Sequence, residues 1–314
     1  MNFDESYFRG EEREGFFIKP MMKRAWAAQL EVLEKIDEIC VRNNIEYYAS
    51  SGTLLGAIRH GGYIPWDDDL DIEMKRLDYE RFFKIAEKEL PQGYKILNPI
   101  TDSGWNGCFS RIINSTDIPL QGESLKQFHG FPWQAGVDIF PIDYLPVEKS
   151  DELVMVSLLG AVYTLAFAWD KEEMAEEEKE QYLKMLEDLC NARFTQEKPY
   201  GQQLWQLVDR ISAMYWDMGE RAEEVSLAYM LVNQPGYRMP ASCYRQAKRV
   251  PFEHTTIPVP IGYHQVLEAC YGKDYMTPKR GMAAHEYPYY RIQQKRVLAF
   301  YKQSGREIPE YLWE

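Results

Sequence analysis

Five acidic residues stand within seven positions of this chain: Asp67, Asp68, Asp69, Asp71 and Glu73. In Asp69-Leu70-Asp71-Ile72 acidic and apolar residues alternate, and successive side chains of a strand point to opposite faces. Asp69 and Asp71 therefore share one face, and Leu70, Ile72 and Met74 the other. Carboxylates this close repel each other unless a cation lies between them. Mg²⁺ meets that need with one or two protein carboxylates and completes its shell with water and phosphate oxygens. Upstream, Ser51-Gly52 falls between a strand-like Ile45–Ala49 and an apolar stripe of Leu54, Leu55 and Ile58. A glycine there lets backbone N–H groups approach a phosphate at a helix N-terminus. Such a pair alone is a weak signal; joined to the Asp-x-Asp strand it points to metal-assisted phosphate chemistry. A third carboxylate on a neighbouring strand would complete a two-metal cage. Asp138, in the strand-like Gly136-Val137-Asp138-Ile139-Phe140, is the candidate.

The elements that carry these residues follow from periodicity. Residues 1–19 read as an exposed arm. From Pro20 to Arg42 the apolar positions Met22, Trp26, Leu30, Leu33, Ile36 and Ile39 recur at helical spacing. Ser51 takes the N-cap position of the next helix, which Gly61-Gly62 ends. Leu77–Leu90 forms a further helix stopped by Pro91, and Tyr94–Leu97, Cys108–Ile113 and Trp133–Ile142 read as strands. Asp143 reads as a turn residue. This gives an α+β core over 20–147, a mainly helical region over 148–249, and a C-terminal segment over 250–314. That last segment is rich in Pro, Tyr and Gly and is expected to return to the site.

Net charge is −13, from 36 basic and 49 acidic residues, which argues against general nucleic-acid binding. An anionic substrate would need a metal and a few local arginines. The five cysteines are scattered, with no C-x-x-C, so neither a disulfide framework nor a zinc site is indicated. Without an apolar signal region at Met1–Gly15, a cytoplasmic setting is expected. The uncharged run Leu153–Trp169 reaches only the lower limit of a membrane span and is flanked by acidic residues. A buried core helix is its simplest reading; peripheral membrane contact is the other.

The stretch S-G-T-L-L-G-A-I-R-H-G-G-Y-I-P-W-D-D-D-L-D-I closely resembles the signature of the LicD family of phosphorylcholine transferases. Residues 136–146 (G-V-D-I-F-P-I-D-Y-L-P) and 252–278 (F-E-H-T-T-I-P-V-P, then Y-G-K-D-Y-M-T-P) resemble later blocks of that family, in the same order. The resemblance implies a nucleotidyltransferase-like mixed sheet with flanking helices. It implies Asp69 and Asp71 as the metal-binding pair, Asp138 as the third acidic residue, and Ser51-Gly52 as the phosphate-contacting turn. Here Ser precedes Gly and Thr53 follows, so either hydroxyl can face the phosphate. Asp67 shares the face of Asp69 and is a catalytic candidate, while Asp68 caps a turn. Arg59 follows the helix in the family block and is assigned to phosphate charge neutralisation. Arg111 can face the site from the adjacent strand, and Glu253 in the F-E-H block can orient nucleotide or acceptor. His129, His254 and His285 are isolated and read as structural loop residues.

The resemblance implies Mg²⁺-dependent transfer, with one ion or two and Mn²⁺ as a substitute. Phosphocholine would pass from CDP-choline, or a related CDP-linked donor, to a hydroxyl of a glycan or glycolipid precursor. The rivals are a small-molecule nucleotidyltransferase, a metal-dependent glycosyltransferase, and a non-catalytic nucleotide- or glycan-binding protein on the same fold.

Overall fold

The computed structural model describes residues 1–117, 123–169, 171, 174–280 and 287–308. An antiparallel ribbon, β1 (Glu11–Arg13) and β2 (Phe16–Ile18), leads into helix α1 (Pro20–Asn43). Then come β3 (Tyr48–Ala49), α2 (Ser51–Arg59), β4 (Asp71–Lys75), α3 (Arg76–Glu89), β5 (Lys95–Leu97) and β6 (Ser110–Ile113). The short α4 (Glu123–Gln127) and the long β7 (Gly136–Tyr144) follow. Three helices, α5 (Lys149–Ala168), α6 (Glu176–Cys190) and α7 (Tyr200–Ser212), make a separate layer. The chain continues with β8 (Glu224–Ser226), β9 (Met239–Pro240) and the ribbon β10 (Ala247–Phe252) and β11 (Thr255–Pro260). Helices α8 (Tyr263–Tyr271) and α9 (Arg291–Ser304) follow.

The central sheet runs β3-β4-β7-β6-β5, with β8 and β9 added beyond β7. Strands β4 and β7 are parallel and the other pairs antiparallel. The register sets Asp71 opposite Asp138, and Asp138 opposite Arg111. Directly paired residues project from the same face of a sheet, so three strands bring these three side chains abreast. The alternate residues Ile72, Met74, Val137 and Ile139 are fully buried on the other face.

Helix α1 is the hub. Pro20 begins it, and Asn44 ends it in the left-handed conformation (φ 51°), its N–H returning to the carbonyls of Cys40 and Val41. Met22, Trp26, Leu30, Leu33, Ile36 and Ile39 are all buried in one cluster with the sheet. The helical layer has its own cluster, built from Met155, Leu159, Leu186, Leu204 and Val208. Across the joint Arg76, 1% exposed, forks onto Asp143 at 2.7 and 3.1 Å and reaches Asp209 on α7 at 2.7 Å.

Several expectations change. Residues 1–19 are not a bare arm: Tyr7 and Phe8 are buried against Ala27, and Ile18 is in the main core. The aromatic content of the segment drives that packing. Asp143 is not in a turn but in β7, buried as the partner of Arg76. Helix α5 is long and apolar enough to cross a membrane by length and composition, with a third of its most apolar window buried. Met155, Leu159 and Val162 face the core while Leu153, Val154 and Phe167 are exposed, so it is a core helix on one face only. Residue His285 lies outside the described residues.

Candidate active site

Helix α2 and strand β4 are joined at their first residues. Ser50 N–H donates to the Asp71 carbonyl at 3.0 Å, and Asp71 N–H donates to Thr53 Oγ1 at 2.8 Å. The first intrahelical bond runs from Leu54 N–H to the Ser50 carbonyl, so Ser50 is the N-cap rather than Ser51. Ser51 instead adopts a left-handed φ of 47°, unusual for a residue with a Cβ and a common mark of functional turns. At Gly52 a Cβ would lie 2.4 Å from Asp67 Oδ2. A side chain there would displace the Asp67 carboxylate, which is packed against the Gly52 backbone.

Asp67, Asp68 and Asp69 precede the strand, which begins at Asp71. Their carboxylate oxygens lie within 4.8 Å of one another. Helix α1 holds this loop: Trp26 Nε1 donates to the Asp67 carbonyl at 3.1 Å, and Gln29 Nε2 to that of Asp68 at 2.9 Å. Asp68 is buried, and its Oδ2 accepts from Tyr289 N–H at 2.6 Å, a long-range bond rather than a local turn cap. Burial, then the neighbouring Asp69, pushes Asp67 up to about 8. Burial raises Asp71 well above the carboxylate range, with Asp69 and Asp138 adding to it and Arg111 opposing. Oxygen donors crowded at a cost in charge are the donor set a hard divalent cation takes. Asp67, Asp68 and Asp69 are grouped closely enough to hold one divalent cation, and Asp71 lines the same cavity as Asp67 and Asp69. Asp138 is abreast of Asp71, but both its oxygens are engaged by the Arg111 guanidinium, Nη2 at 2.7 Å.

Asp69 lines two cavities. The larger, about 700 Å³, holds Asp67, Asp71 and Asp274 as well, against the cations Arg59, Lys279 and Arg280. Phe16, Trp66, Tyr271 and Tyr287 give it aromatic walls. Four carboxyl groups thus share the cavity with three cations, and burial favours the protonated form of two of them, Asp67 and Asp71. The smaller, about 370 Å³, contains Arg111, Asp138, Gln134, Gln293 and Tyr289.

The sequence-derived candidates separate into two groups. Gly52, Arg59, Asp67, Asp69 and Asp71 line the larger cavity; Arg111 and Asp138 line the smaller. The Arg59 guanidinium donates to the Tyr275 carbonyl at 2.9 Å, fixing it toward the cleft. Arg111 both faces the site and forms the ion pair. Thr53 is buried behind the carboxylates with its oxygen on Asp71, which leaves Ser51 as the partly exposed hydroxyl. Glu253 is outside both cavities: its Oε1 accepts from Tyr63 N–H and Arg13 at 3.1 Å, closing the Gly61-Gly62 turn. His129 bonds Glu31 at 2.8 Å and His254 packs on Phe3 and Tyr7, so both are structural. Sequence reasoning missed Lys279 and Arg280, whose only signal was adjacency to the 252–278 block. It also missed Trp26 and Gln29, which look like ordinary positions on a core helix.

A glycine turn opening a helix, an Asp-x-Asp segment beside it and a third Asp on the adjoining parallel strand define a nucleotidyltransferase-like fold. Residues 44–144 match the family described as LicD/FKTN/FKRP, nucleotidyltransferase domain. The lipopolysaccharide cholinephosphotransferase LicD of Haemophilus influenzae is 43% identical over 67 residues, 21% of this chain and 25% of that protein. Uncharacterized proteins of Rickettsia typhi and Rickettsia prowazekii are 44% and 41% identical over 66 residues, 21% of this chain and 21% and 25% of theirs. The matches thus span about a quarter of the length of these curated relatives.

Proposed function

We propose that this protein transfers a phosphoalkyl head group, phosphocholine, from a CDP-linked donor to a hydroxyl of a glycan or glycolipid precursor. The observation that carries the reading is the position of Asp69 between a cation- and aromatic-lined cleft and a second cavity holding Asp138. The name of the Haemophilus relative supports phosphocholine as the group moved.

On this reading the donor diphosphate lies in the larger cleft, beside Gly52, Arg59 and Arg280. Its quaternary ammonium has aromatic faces there, a favourable setting for a cation. A Mg²⁺ ion held by Asp69 and Asp71 would supply charge neutralisation for the diphosphate. The acceptor oxygen attacks the phosphorus of the phosphocholine moiety, the bond to the CMP oxygen breaks, and Asp138 takes the hydroxyl proton. Arg111 holds Asp138 in place for that task.

A thermal-shift panel of CDP-choline, CDP-ethanolamine, CDP-ribitol and nucleoside triphosphates, each with and without Mg²⁺, tests the reading. A ligand that binds only the folded state raises the melting temperature. CDP-choline with Mg²⁺ should give the largest shift. A larger shift with a nucleoside triphosphate would favour nucleotidyl transfer, and no shift with any nucleotide a binding or scaffold role.

A further inference from the structure

We infer that Glu73 is a positioning residue for phosphate binding: by engaging the Ser50 hydroxyl it keeps the N–H groups that open α2 available to the ligand. This rests on the donor diphosphate lying beside Gly52. Ser50 is the N-cap of α2 and has the extended backbone of one, φ −116° and ψ 158°. A serine so placed commonly turns its hydroxyl oxygen onto the N–H of the second or third helical residue. Those residues are Gly52 and Thr53, and the Ser50 side chain caps neither. Its hydroxyl donates instead to Glu73 Oε2 at 3.0 Å. The N–H groups of Ser51, Gly52 and Thr53 meet no acceptor among the described residues. The first N–H groups of a helix have no partner within it, and an anion at that end satisfies them.

The diversion comes at a cost to the fold. Glu73 is 2% exposed, and its Oε1 is buried without a hydrogen-bond partner among the described residues. A carboxyl group so poorly partnered weakens a core, so packing does not account for it. What it does reach is the residue that anchors the turn. Ser50 N–H donates to the Asp71 carbonyl at 3.0 Å, and the Ser50 carbonyl accepts from Leu54 N–H at 3.0 Å. The backbone of Ser50 is thus fixed on both sides, and Glu73 fixes its side chain. Without that acceptor, rotation about the Cα–Cβ bond would carry the hydroxyl oxygen toward the first-turn N–H groups, where it competes with phosphate.

Isothermal titration calorimetry of the full chain with Mg²⁺, using CDP-choline and inorganic pyrophosphate as separate probes, tests the assignment. Glu73→Met has similar length and no oxygen; it should bind both probes about fivefold more weakly, the worth of a typical N-cap bond, and melt no lower than the wild type. Glu73→Gln keeps an oxygen for the Ser50 hydroxyl and should bind within about twofold of the wild type. Deleting the competing hydroxyl in Ser50→Ala/Glu73→Met should restore affinity to the same range, an outcome that a merely structural role for Glu73 does not give. Should Glu73→Met melt early, Glu73→Leu takes its place in the same cycle. Undiminished affinity in the variant without an oxygen, an equal loss in Glu73→Gln, or a double variant as weak as Glu73→Met would each overturn the assignment. Wild-type protein that binds pyrophosphate but not CDP-choline sinks the donor reading instead, and the pyrophosphate cycle still decides the role of Glu73. Binding of neither probe overturns both.

Discussion

Replacing Gly52 by Ala tests whether the acidic loop must lie against the helix start. A Cβ at this position stands 2.4 Å from Asp67 Oδ2, where ordinary contact begins near 3.4 Å, so the carboxylate must retreat by about 1 Å. The fold should bear this. Alanine gains about 0.5–1 kcal/mol over glycine in a helix, and crowding costs about 1–3 kcal/mol. The melting temperature should therefore move by no more than about 5 °C. Chemistry is less forgiving, because a displacement near 1 Å lowers rate by about 100-fold, or about 2.7 kcal/mol of transition-state stabilisation. The assay is Mg²⁺-dependent CMP release from CDP-choline by Gly52→Ala, Asp67→Ala and the double variant. With the Asp67 carboxylate gone the clash disappears, so Gly52→Ala should cost less than about threefold in that background. Full activity in the single variant, or an equal loss in both backgrounds, would refute the reasoning.

Three further outcomes follow from the same structure. With Asp67 held at about 8, against about 3.9 in an unfolded chain, the contribution of this group to stability is complete below the lower value and lost as pH rises through the higher. The metal-free protein should thus lose melting temperature from pH 4 to 8 relative to Asp67→Asn, and Mg²⁺ affinity should rise by up to ~tenfold per pH unit as the proton is displaced. A Mg²⁺ affinity flat from pH 6 to 8 in calorimetry would contradict this. Arg76→Ala leaves Asp143 buried without its partner and should cost about 3–5 kcal/mol by urea midpoint, part of it regained in Arg76→Met/Asp143→Leu. A loss below about 1 kcal/mol would remove the bridging role. Glu253→Ala should cost about 1–3 kcal/mol of stability and leave the KM for CDP-choline within twofold. A tenfold rise in KM at unchanged stability would return Glu253 to the substrate site.

The core of the site was legible because its determinants are local. Alternation around Asp71 and Asp138 states which neighbours turn to the core, and the register of β4 with β7 sets these two acids abreast; Asp69, read as part of that strand, lies instead in the loop before it. Helix α1 was readable for the same reason, since its apolar spacing is a property of one segment. What could not be read depends on contacts far apart in sequence. The Arg111 fork needs β6 to be the neighbour of β7, and Glu253 turns away because Arg13 and Tyr63 reach it from distant segments. Asp143 looked like a turn residue because nothing nearby shows that Arg76 will be buried against it. The N-terminal aromatics were overlooked because their partners, Lys23 and Ala27, face them only once α1 has formed.

The central claim is that phosphocholine, not a nucleotide, is the group moved. Its most direct measurement is ³¹P NMR of the products formed from CDP-choline and from CTP, with Mg²⁺ and a methyl glycoside, by the wild-type protein and Asp71→Asn. The account predicts CMP and a phosphocholine ester from CDP-choline, no pyrophosphate from CTP, and a loss of at least ~1,000-fold in the variant. Pyrophosphate release with the nucleotide on the product, or undiminished CMP release by Asp71→Asn, would contradict it.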